Sequence, residues 1–361
     1  MEHKRLGDYI REVNVRNREL RVTNLLGLSI EKKFIPSIAN TIGTDMSVYK
    51  IVQPSQFAYV PVTSRNGDKI TVALYEGEEA AIISQAYTIF EIIDHDALLP
   101  EYLMMWFRRP EFDRYARFHS HGSAREVFDW DELCNVMLPV PDIARQREIV
   151  AEYETLTNRI RLNEQMIEKL EATAQALYRK MFVDGVDMEH LPDGWRKGTL
   201  GEVATFKYGK LSEKHQRSAE FPYPVFSGYA VTGYTNEYTL KEPTIVIIAR
   251  GDAGTGKICM SPRECFLSNL AISIETKEPS IKNYLYYYLL DSDTMALRSG
   301  SAQAQITINN LEPFEVIIPE RKVCMDFSIK VETLYNNKTL YEQEYLKLTE
   351  LQSLLLARMG K

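Results

Sequence analysis

The chain has 361 residues, of which 45% are hydrophobic and 26% charged, as in most globular proteins. This length predicts two or three domains, and the composition excludes a collagen-like or wholly disordered chain. The formal net charge of −7 argues against a protein that binds nucleic acid through overall positive charge. No apolar run reaches the ~18 residues of a membrane span, and the charged N-terminus predicts neither a signal peptide nor an anchor.

The four cysteines form no CxxC pair and have no neighbouring His cluster, so we expect free thiols, no zinc site and a cytoplasmic location. The net charge is −5 over 1–144, −4 over 183–319, and +1 over each of 145–182 and 320–361. Any contact with DNA would therefore need local basic patches or a partner that supplies positive charge.

The first 144 residues, called the first head, have a mixed α/β pattern. Strands are predicted at 57–62, 70–75 and 87–92, and a helix at 101–107.

A long helix is predicted shortly after Pro141, because apolar residues recur at alternating steps of four and three over about five heptads. Its seam consists of Ile149, Tyr153, Leu156, Ile160, Asn163, Ile167, Leu170, Ala174, Leu177 and Met181. A linker at 183–189 leads into residues 186–319, called the second head. There we predict strands at 244–250 and 270–274 and a helix at 284–290.

A second long helix follows Pro319. Its seam consists of Phe327, Val331, Leu334, Lys338, Tyr341, Tyr345, Leu348, Gln352, Leu355 and Met359. Each helix of about 35–38 residues would be ~55 Å long. Most amphipathic helices belong to a domain core, but a seam that occurs twice in register favours an antiparallel coiled coil within the chain. Polar residues on the seam, such as Asn163, would fix its register.

An internal repeat supports this organisation. Shifting the chain by 178 residues places Gly122 on Gly300 and aligns the two seams without a gap. Upstream the offset grows to 182 at Tyr102 and Tyr284, and to 194 at Leu6 and Leu200. This pattern predicts one scaffold used twice, with variable insertions in the heads.

No catalytic motif is evident. The segment from Gly251 to Lys257 has the GxxxxGK spacing of a phosphate-binding loop, but Ile258 stands where Ser or Thr would hold magnesium. A Gly-rich turn between strands is favoured, and a nucleotide-binding enzyme remains an alternative. His119 and His121 form an isolated HxH pair that is more typical of a surface loop than of a metal site.

Polar clusters in the heads are candidate DNA contacts. Arg, Asn and Gln suit base edges, whereas Lys and Ser suit phosphates. The candidates are Asn14, Arg16, Arg18, Arg65, Asn66, Lys69 and Arg125 in the first head, and Lys207, Lys210, Tyr229, Arg250, Lys257, Ser301 and Gln303 in the second.

Over nearly its full length the chain resembles the specificity (S) subunit of type I restriction-modification enzymes. The phrases that carry the resemblance are Leu191-Pro-Asp-Gly-Trp195 with Leu200–Val203, Gly300–Gln303 with Val316–Pro319, Leu138-Pro-Val-Pro141 before Gln146, and the turn from Ile248 to Ile258. Two features depart from that pattern. Cys324 occupies the position of Gln146 in the second repeat, and the first head lacks the Pro-x-Gly-Trp opening.

The resemblance implies an α+β fold in which two target-recognition domains are joined by two antiparallel coiled-coil helices with pseudo-two-fold symmetry. The expected divisions are 1–144 and 186–319 for the two domains, and 145–185 and 320–361 for the two spacer helices. The chain would be non-catalytic, with no cofactor or metal, and would read a bipartite DNA target.

The expected partners are double-stranded DNA, two methyltransferase (M) subunits and, through them, restriction (R) subunits. The M subunit would carry the S-adenosylmethionine chemistry and the R subunit the ATP-driven cleavage. The residues expected to pair the helices and bind partners are Ile149, Leu156, Ile160, Ile167, Leu170, Leu177, Phe327, Leu334, Tyr341, Leu348 and Leu355. A further alternative is a coiled-coil adaptor that recognises protein rather than DNA.

Overall fold

The computed structural model describes residues 3–37, 43–64, 67, 69–122, 125–211, 218–251, 254–299 and 305–360. The chain divides into two compact units. The first unit is Met1–Glu164 with Gln343–Lys361, and the second is Gln165–Glu342. Each unit therefore combines one head with one part of each long helix.

The first head is built from short strands around a central sheet. Its strands are β1 (His3–Arg5), β2 (Ile10–Val13), β3 (Leu26–Leu28), β4 (Phe34–Pro36), β5 (Lys50–Val52), β6 (Phe57–Tyr59), β7 (Val72–Leu74), β8 (Ala81–Ile83), β9 (Thr88–Ile92) and β10 (Met137–Pro139). Its helices are α1 (Pro100–Arg108), α2 (Pro110–Phe118) and α3 (Trp130–Cys134), and α4 (Ile143–Phe182) follows.

The central sheet of the first head is antiparallel and has the order β2-β9-β6-β7. Smaller pairs are β1 with β10, β3 with β4, and β5 with β8. Helix α1 buries almost its whole length because it is rich in large apolar residues, and it begins at Pro100, which suits the first helical position. In the core between this sheet and α1, Phe57 and Phe90 stack on each other, and Phe107 packs edge-to-face against both.

The second head repeats this design. Its strands are β11 (Arg196–Thr199), β12 (Ala204–Tyr208), β13 (Tyr223–Phe226), β14 (Val231–Thr235), β15 (Ile245–Ile248), β16 (Ile258–Met260), β17 (Phe266–Leu267), β18 (Ala271–Thr276) and β19 (Glu315–Ile318). Its helices are α5 (Leu200–Val203), α6 (Lys282–Asp291) and α7 (Ile308–Leu311), and α8 (Arg321–Arg358) follows.

The central sheet of the second head has the order β12-β18-β15-β16, and all its neighbouring strands are antiparallel. This is the order of the first head, strand for strand. The outer pair β11-β19 corresponds to β1-β10. Strands and helices occur in every segment for which the sequence predicts them, with the strands somewhat shorter than predicted, and the α+β class is confirmed.

The repeat extends to individual hydrogen bonds. The amide of Leu6 donates to Val136 O at 2.8 Å, and the amide of Leu200 donates to Phe314 O at the same distance. In the first head the hydroxyl of Tyr102 donates to Pro139 O at 3.1 Å. In the second head the hydroxyl of Tyr284 donates to Ile317 O at 2.8 Å. Both tyrosines are buried, so each hydroxyl satisfies a carbonyl of the last strand that water cannot reach.

The two long helices have the predicted seams. Every predicted seam residue is buried or half-buried, from Ile149 to Met181 in α4 and from Phe327 in α8 to Met359 directly after it. Pro141 and Pro319 precede the helices by two residues, as the sequence predicts. In the first unit the end of α8 packs on the core that contains the start of α4, so the two segments are antiparallel.

Polar pairs between the helices fix this antiparallel register. In the first unit Arg159 donates to Glu344 at 2.9 Å, and Asn163 donates to the same carboxylate at 3.1 Å. In the second unit Lys338 lies 2.6 Å from Glu171. The polar seam residues that the sequence singles out are therefore paired in each unit.

The two heads join their helices differently. In the first unit Gln146 is fully buried, and its amide accepts from Leu99 N at 2.9 Å and donates to Ala97 O and Pro141 O. The equivalent residue of the second unit, Cys324, is also buried but offers only a thiol.

In the described part of the chain, no helix has the length and apolar character required of a membrane span.

Candidate nucleic-acid interface

One end of each central sheet gathers the polar loops of its head. In the second head β12 ends at Tyr208 and β15 ends at Ile248, while β16 and β18 begin at Ile258 and Ala271. Because these neighbouring strands are antiparallel, all four chain ends lie at the same edge of the sheet. We call this end the loop edge of the second head.

The first head has the equivalent loop edge, where β2 and β6 end and β7 and β9 begin. Residues 119–122 and 125–127 join it, because Thr63 donates to Ser120 at 3.0 Å and Val127 pairs with His121. In the second head the chain around Gln305 joins its loop edge, since Ile306 N donates to Ala249 O at 3.0 Å.

The second head brings its predicted DNA-contact residues together. Lys210, Tyr229, Arg250 and Lys257 are exposed in loops of this edge. Tyr229 is 67% exposed, which is unusual for a large aromatic side chain. The side chain is therefore not part of the hydrophobic core. Lys207 lies within β12, where its ammonium contacts Glu275 at 3.1 Å, so this lysine belongs to the sheet face beside the edge.

Close backbone packing shapes the edge around these side chains. At Gly209 an added Cβ would lie 2.0 Å from Ser268 O, so the turn between Lys207 and Lys210 requires glycine. Gly228 adopts φ +101°, a region that side chains rarely occupy, and thereby presents Tyr229 to solvent. Ser301 and Gln303 lie outside the described residues, but the flanking Ser299 and Gln305 pair with each other at the edge.

In the first head the predicted residues divide into exposed and structural groups. Asn14, Arg18 and Arg125 are exposed, whereas Arg16 donates to Val48 O at 2.6 Å and so holds a loop. Lys69 is exposed and lies 3.2 Å from Glu31. Arg65 and Asn66 lie outside the described residues.

Other polar residues of this edge are part of its framework. Asn17 is buried, and its side chain bonds the backbone of Val22 in both directions. Lys50 is buried and donates to Tyr87 O at 2.7 Å, and burial lowers the pKa of its ammonium. Both residues support loops at the edge.

The apparent phosphate-binding loop is a turn at the second loop edge. Lys257 is followed by strand β16 and not by a helix, so the described part of the loop does not lead into the helix N-terminus that cradles phosphate in such sites. The carbonyl of Thr255 instead accepts from Arg298. Nucleotide binding therefore receives no support from the geometry.

The HxH pair is likewise accounted for by a carboxylate. His119 lies 3.2 Å from Glu132, and His121 lies 4.0 Å from the same side chain. Among the described residues, no group of three or more His, Cys, Asp or Glu side chains is arranged as a metal site.

A second candidate surface lies on the helices of the first unit. An open groove of about 720 Å³ runs between the start of α4 and the end of α8, and it is lined by Glu148, Ala151, Glu152, Thr155, Leu156, Leu351, Leu354, Leu355 and Arg358. Leu351 and Leu354 are 51% and 53% exposed, although neither belongs to the predicted seam. The sequence carries a signal for them, because they are large apolar residues off the seam of an amphipathic helix.

The predicted partner-binding residues occupy different environments. Ile149 is buried in the core of the first unit and Phe327 in that of the second. The remaining predicted residues, which are Leu156, Ile160, Ile167, Leu170, Leu177, Leu334, Tyr341, Leu348 and Leu355, are half-buried along the helices.

Comparison with known proteins gives a match to one family model. Residues 192–349 match the type I restriction modification DNA specificity domain, a region that contains residues 192–319 of the second head and most of α8. A protein of Mycoplasma pneumoniae described as a type I specificity subunit is 27% identical over 126 residues. That match covers 34% of this chain and 33% of the relative, so it spans about a third of the relative's length.

Solved structures extend the likeness to the whole chain. The S subunit of a type I restriction-modification system from M. genitalium superimposes with a TM-score of 0.66 at 15% identity, over 99% of this chain and 96% of that chain. A chain from a study of complex assembly and conformational transition in the type I system superimposes with a TM-score of 0.51 at 18% identity, over 99% and 97% of the two chains. These likenesses establish the fold.

Proposed function

We propose that the chain is the DNA-specificity subunit of a type I restriction-modification system, since residues 192–349 match the specificity-domain model of that family and the whole chain has the fold of a solved S subunit. The observation that carries the proposal is the doubled topology. Two heads with the same strand order each expose polar and cationic side chains at the same end of the sheet. A pair of related surfaces with different loops suits a target with two different half-sites.

Each head reads one half-site in this proposal. Asn14 and Arg18 in the first head and Arg250 in the second have side chains that can pair with base edges, whereas Lys210 and Lys257 suit phosphates. The chain itself catalyses no reaction and acts in the cytoplasm, where the DNA is. Its four segments are the recognition domains 1–144 and 186–319 and the spacer helices 145–185 and 320–361.

The helices bind the M subunits. The apolar groove beside Leu351 and Leu354 is the docking face of the first unit. The shift of 178 residues places Ile329, which is 64% exposed, at the position equivalent to Ala151 and so gives the second unit an apolar residue on the corresponding face. One M subunit on each face accounts for two per chain, and R subunits join through them.

Methylome sequencing tests the proposed reading of DNA. A strain that carries the chain with its M partner is expected to methylate a bipartite motif, and deletion of the chain should abolish that motif. Exchange of residues 1–144 for the first domain of another specificity subunit should change one half of the motif only. A change in both halves, or an unchanged motif, would contradict the modular reading.

Partner docking can be separated from folding by comparing exposed and seam leucines. Leu351→Asp with Leu354→Asp adds charge where both side chains are half exposed, so we expect loss of M-subunit association in pull-downs with little change in thermal unfolding. Leu156→Asp or Leu334→Asp places an unpaired charge on the seam and should cost several kcal/mol, roughly 3–5, of stability as well.

Leu290→Asp is the matched control, because Leu290 is 41% exposed in α6 of the second head. It should leave association intact. Normal association of the Leu351/Leu354 variant would show that the groove is not the docking face.

A further inference from the structure

The first head has a basic groove beside α2. The groove has a volume of about 710 Å³ and is lined by Ile30, Glu31, Lys32, Lys69, Arg108, Pro110, Asp113, Arg114 and Arg117. Cationic side chains outnumber carboxylates there, although residues 1–144 as a whole carry a net charge of −5. A positive groove on an acidic domain is a local patch of the kind that DNA contact requires.

One carboxylate of the groove, that of Asp113, forms an ion pair with the buried Lys32. Asp113 lies 2.7 Å from the ammonium of Lys32, which is 6% exposed, and also accepts from Ile70 N at 3.1 Å. Burial lowers the pKa of Lys32, while the contact with Asp113 favours its charged form. Because Asp113 serves Lys32 and the backbone, it neutralises little of the charge of the arginines on the same helix.

The arginines of α2 face solvent beside this pair. Arg114 and Arg117 are three residues apart and therefore lie on one face of the helix. The side chain of Arg114 is 70% exposed and lies 3.3 Å from Glu111. Arg117 is exposed and donates to Gly67 O, which places its guanidinium beside the loop that follows β6.

The groove adjoins the loop edge of the first head. Lys69 belongs to both, and Ser120, just after α2, is bonded to Thr63 in the loop after β6. A duplex read by this edge would pass along α2. Phosphates are the groups that guanidinium and ammonium side chains bind at such positions.

The second head has a different charge at the corresponding place. Helix α6 ends at Asp291 and is followed by Asp293, whose side chain accepts from Ala296 N. The nearby Arg298 donates to Thr255 O and so holds the turn of the loop edge. This connection offers carboxylates where α2 offers arginines.

We infer that α2 of the first head binds the sugar-phosphate backbone beside its half-site and supplies sequence-independent affinity at a place where the second head has carboxylates. The inference rests on the proposed DNA-binding function and adds an unequal division of labour between the heads. Direct readout remains with the loop edges, whereas Arg114, Arg117 and Lys69 position the duplex.

The test is the salt dependence of duplex binding by the full-length chain, measured by fluorescence anisotropy with a 40-base-pair duplex of random sequence. For Arg114→Gln with Arg117→Gln, loss of two phosphate contacts should reduce the slope of log K against log salt by about 1.8 and weaken binding about 60-fold at 0.1 M salt. Arg114→Lys with Arg117→Lys should restore most of the slope, because it retains both charges.

Lys4→Gln with Arg5→Gln is the matched control. It also removes two positive charges, but from β1, which pairs with β10 and is not one of the strands whose ends form the loop edge. Its slope should equal that of the parent chain. If the double arginine variant fails to fold by circular dichroism, Arg114→Gln alone should lower the slope by about 0.9.

An unchanged slope in the arginine variants, an equal loss in the control, or no measurable duplex affinity of the parent chain at 50 mM salt would overturn the inference. Loss of M-subunit association with an unchanged slope would identify α2 as a protein contact and would also overturn it. Failure of the proposed function is distinguishable, because it appears in the methylated motif and not in the slope.

Discussion

The two heads share a frame, which consists of the central sheet and the outer strand pair, and they differ at the loop edge. Both heads have the same strand order and the same backbone hydrogen bond from the amide of Leu6 or Leu200. In both, a buried tyrosine hydroxyl also donates to a carbonyl of the last strand. Beside the loop edge, the first head has an arginine-bearing α2, while the second has Asp291 at the end of α6 and Asp293 just after it. The frame therefore depends on buried, directional contacts, whereas the edge can vary because its side chains are solvated.

The difference also reaches the start of each long helix. In the first unit a buried amide, Gln146, joins the loop before α1 to the start of α4 through three hydrogen bonds. In the second unit Cys324 packs in the core without such a network, and burial raises the pKa of its thiol to about 12. Equivalent positions can thus hold their helix by hydrogen bonding or by packing alone.

The largest expected effect comes from shortening the helices that connect the two frames. Deleting Ile160–Met166 together with Lys338–Glu344 removes one heptad from each helix, about 10 Å, and keeps the seam in phase. If the helices set the distance between half-sites, the gap in the methylated motif should shorten by about three base pairs, or methylation should stop because the rotated heads cannot both dock.

Methylome sequencing measures this gap directly. Methylation that continues at the original spacing would show that the helices do not set the distance. Deletion from one helix alone is the control, and it should abolish activity because the two seams no longer match.

A smaller effect should separate the two helix junctions. Gln146→Leu leaves one amide and two carbonyls without their partner, so the first unit should lose about 3 kcal/mol or more of stability. Cys324→Ala leaves no polar group without a partner, and we expect about 1 kcal/mol. Hydrogen exchange of peptides from each head assigns the loss to its unit, and an equal loss for both variants would contradict the difference between the junctions.

The smallest effect should show that the frames are equivalent. Tyr102→Phe and Tyr284→Phe each remove one hydroxyl that satisfies a buried carbonyl, and each should cost about 1–2 kcal/mol. Urea unfolding monitored separately in each head by hydrogen exchange gives the two values. A clear loss in one head and none in the other would show that only one tyrosine closes its frame.

The repeat, the two helical seams and the main strands can all be predicted from the sequence. These features depend on periodic burial of apolar side chains, and periodicity is visible along a chain. Ile245–Ile248 is apolar throughout and forms the buried strand that its composition predicts. The seam of α8 reaches Met359, which is 4% exposed in the core of the first unit.

Which polar residues share a surface depends on how the strands and helices pack, and this cannot be read from the sequence. Lys210 is far in sequence from Arg250 and Lys257, and it meets them because antiparallel strands return to one edge. Arg16 and Lys50 are of residue types that often contact DNA, but in this fold both donate hydrogen bonds to backbone carbonyls. The contacts of the exposed arginines of α2 were equally undetermined, because hydrogen-bond partners and exposure depend on distant segments that no local pattern records.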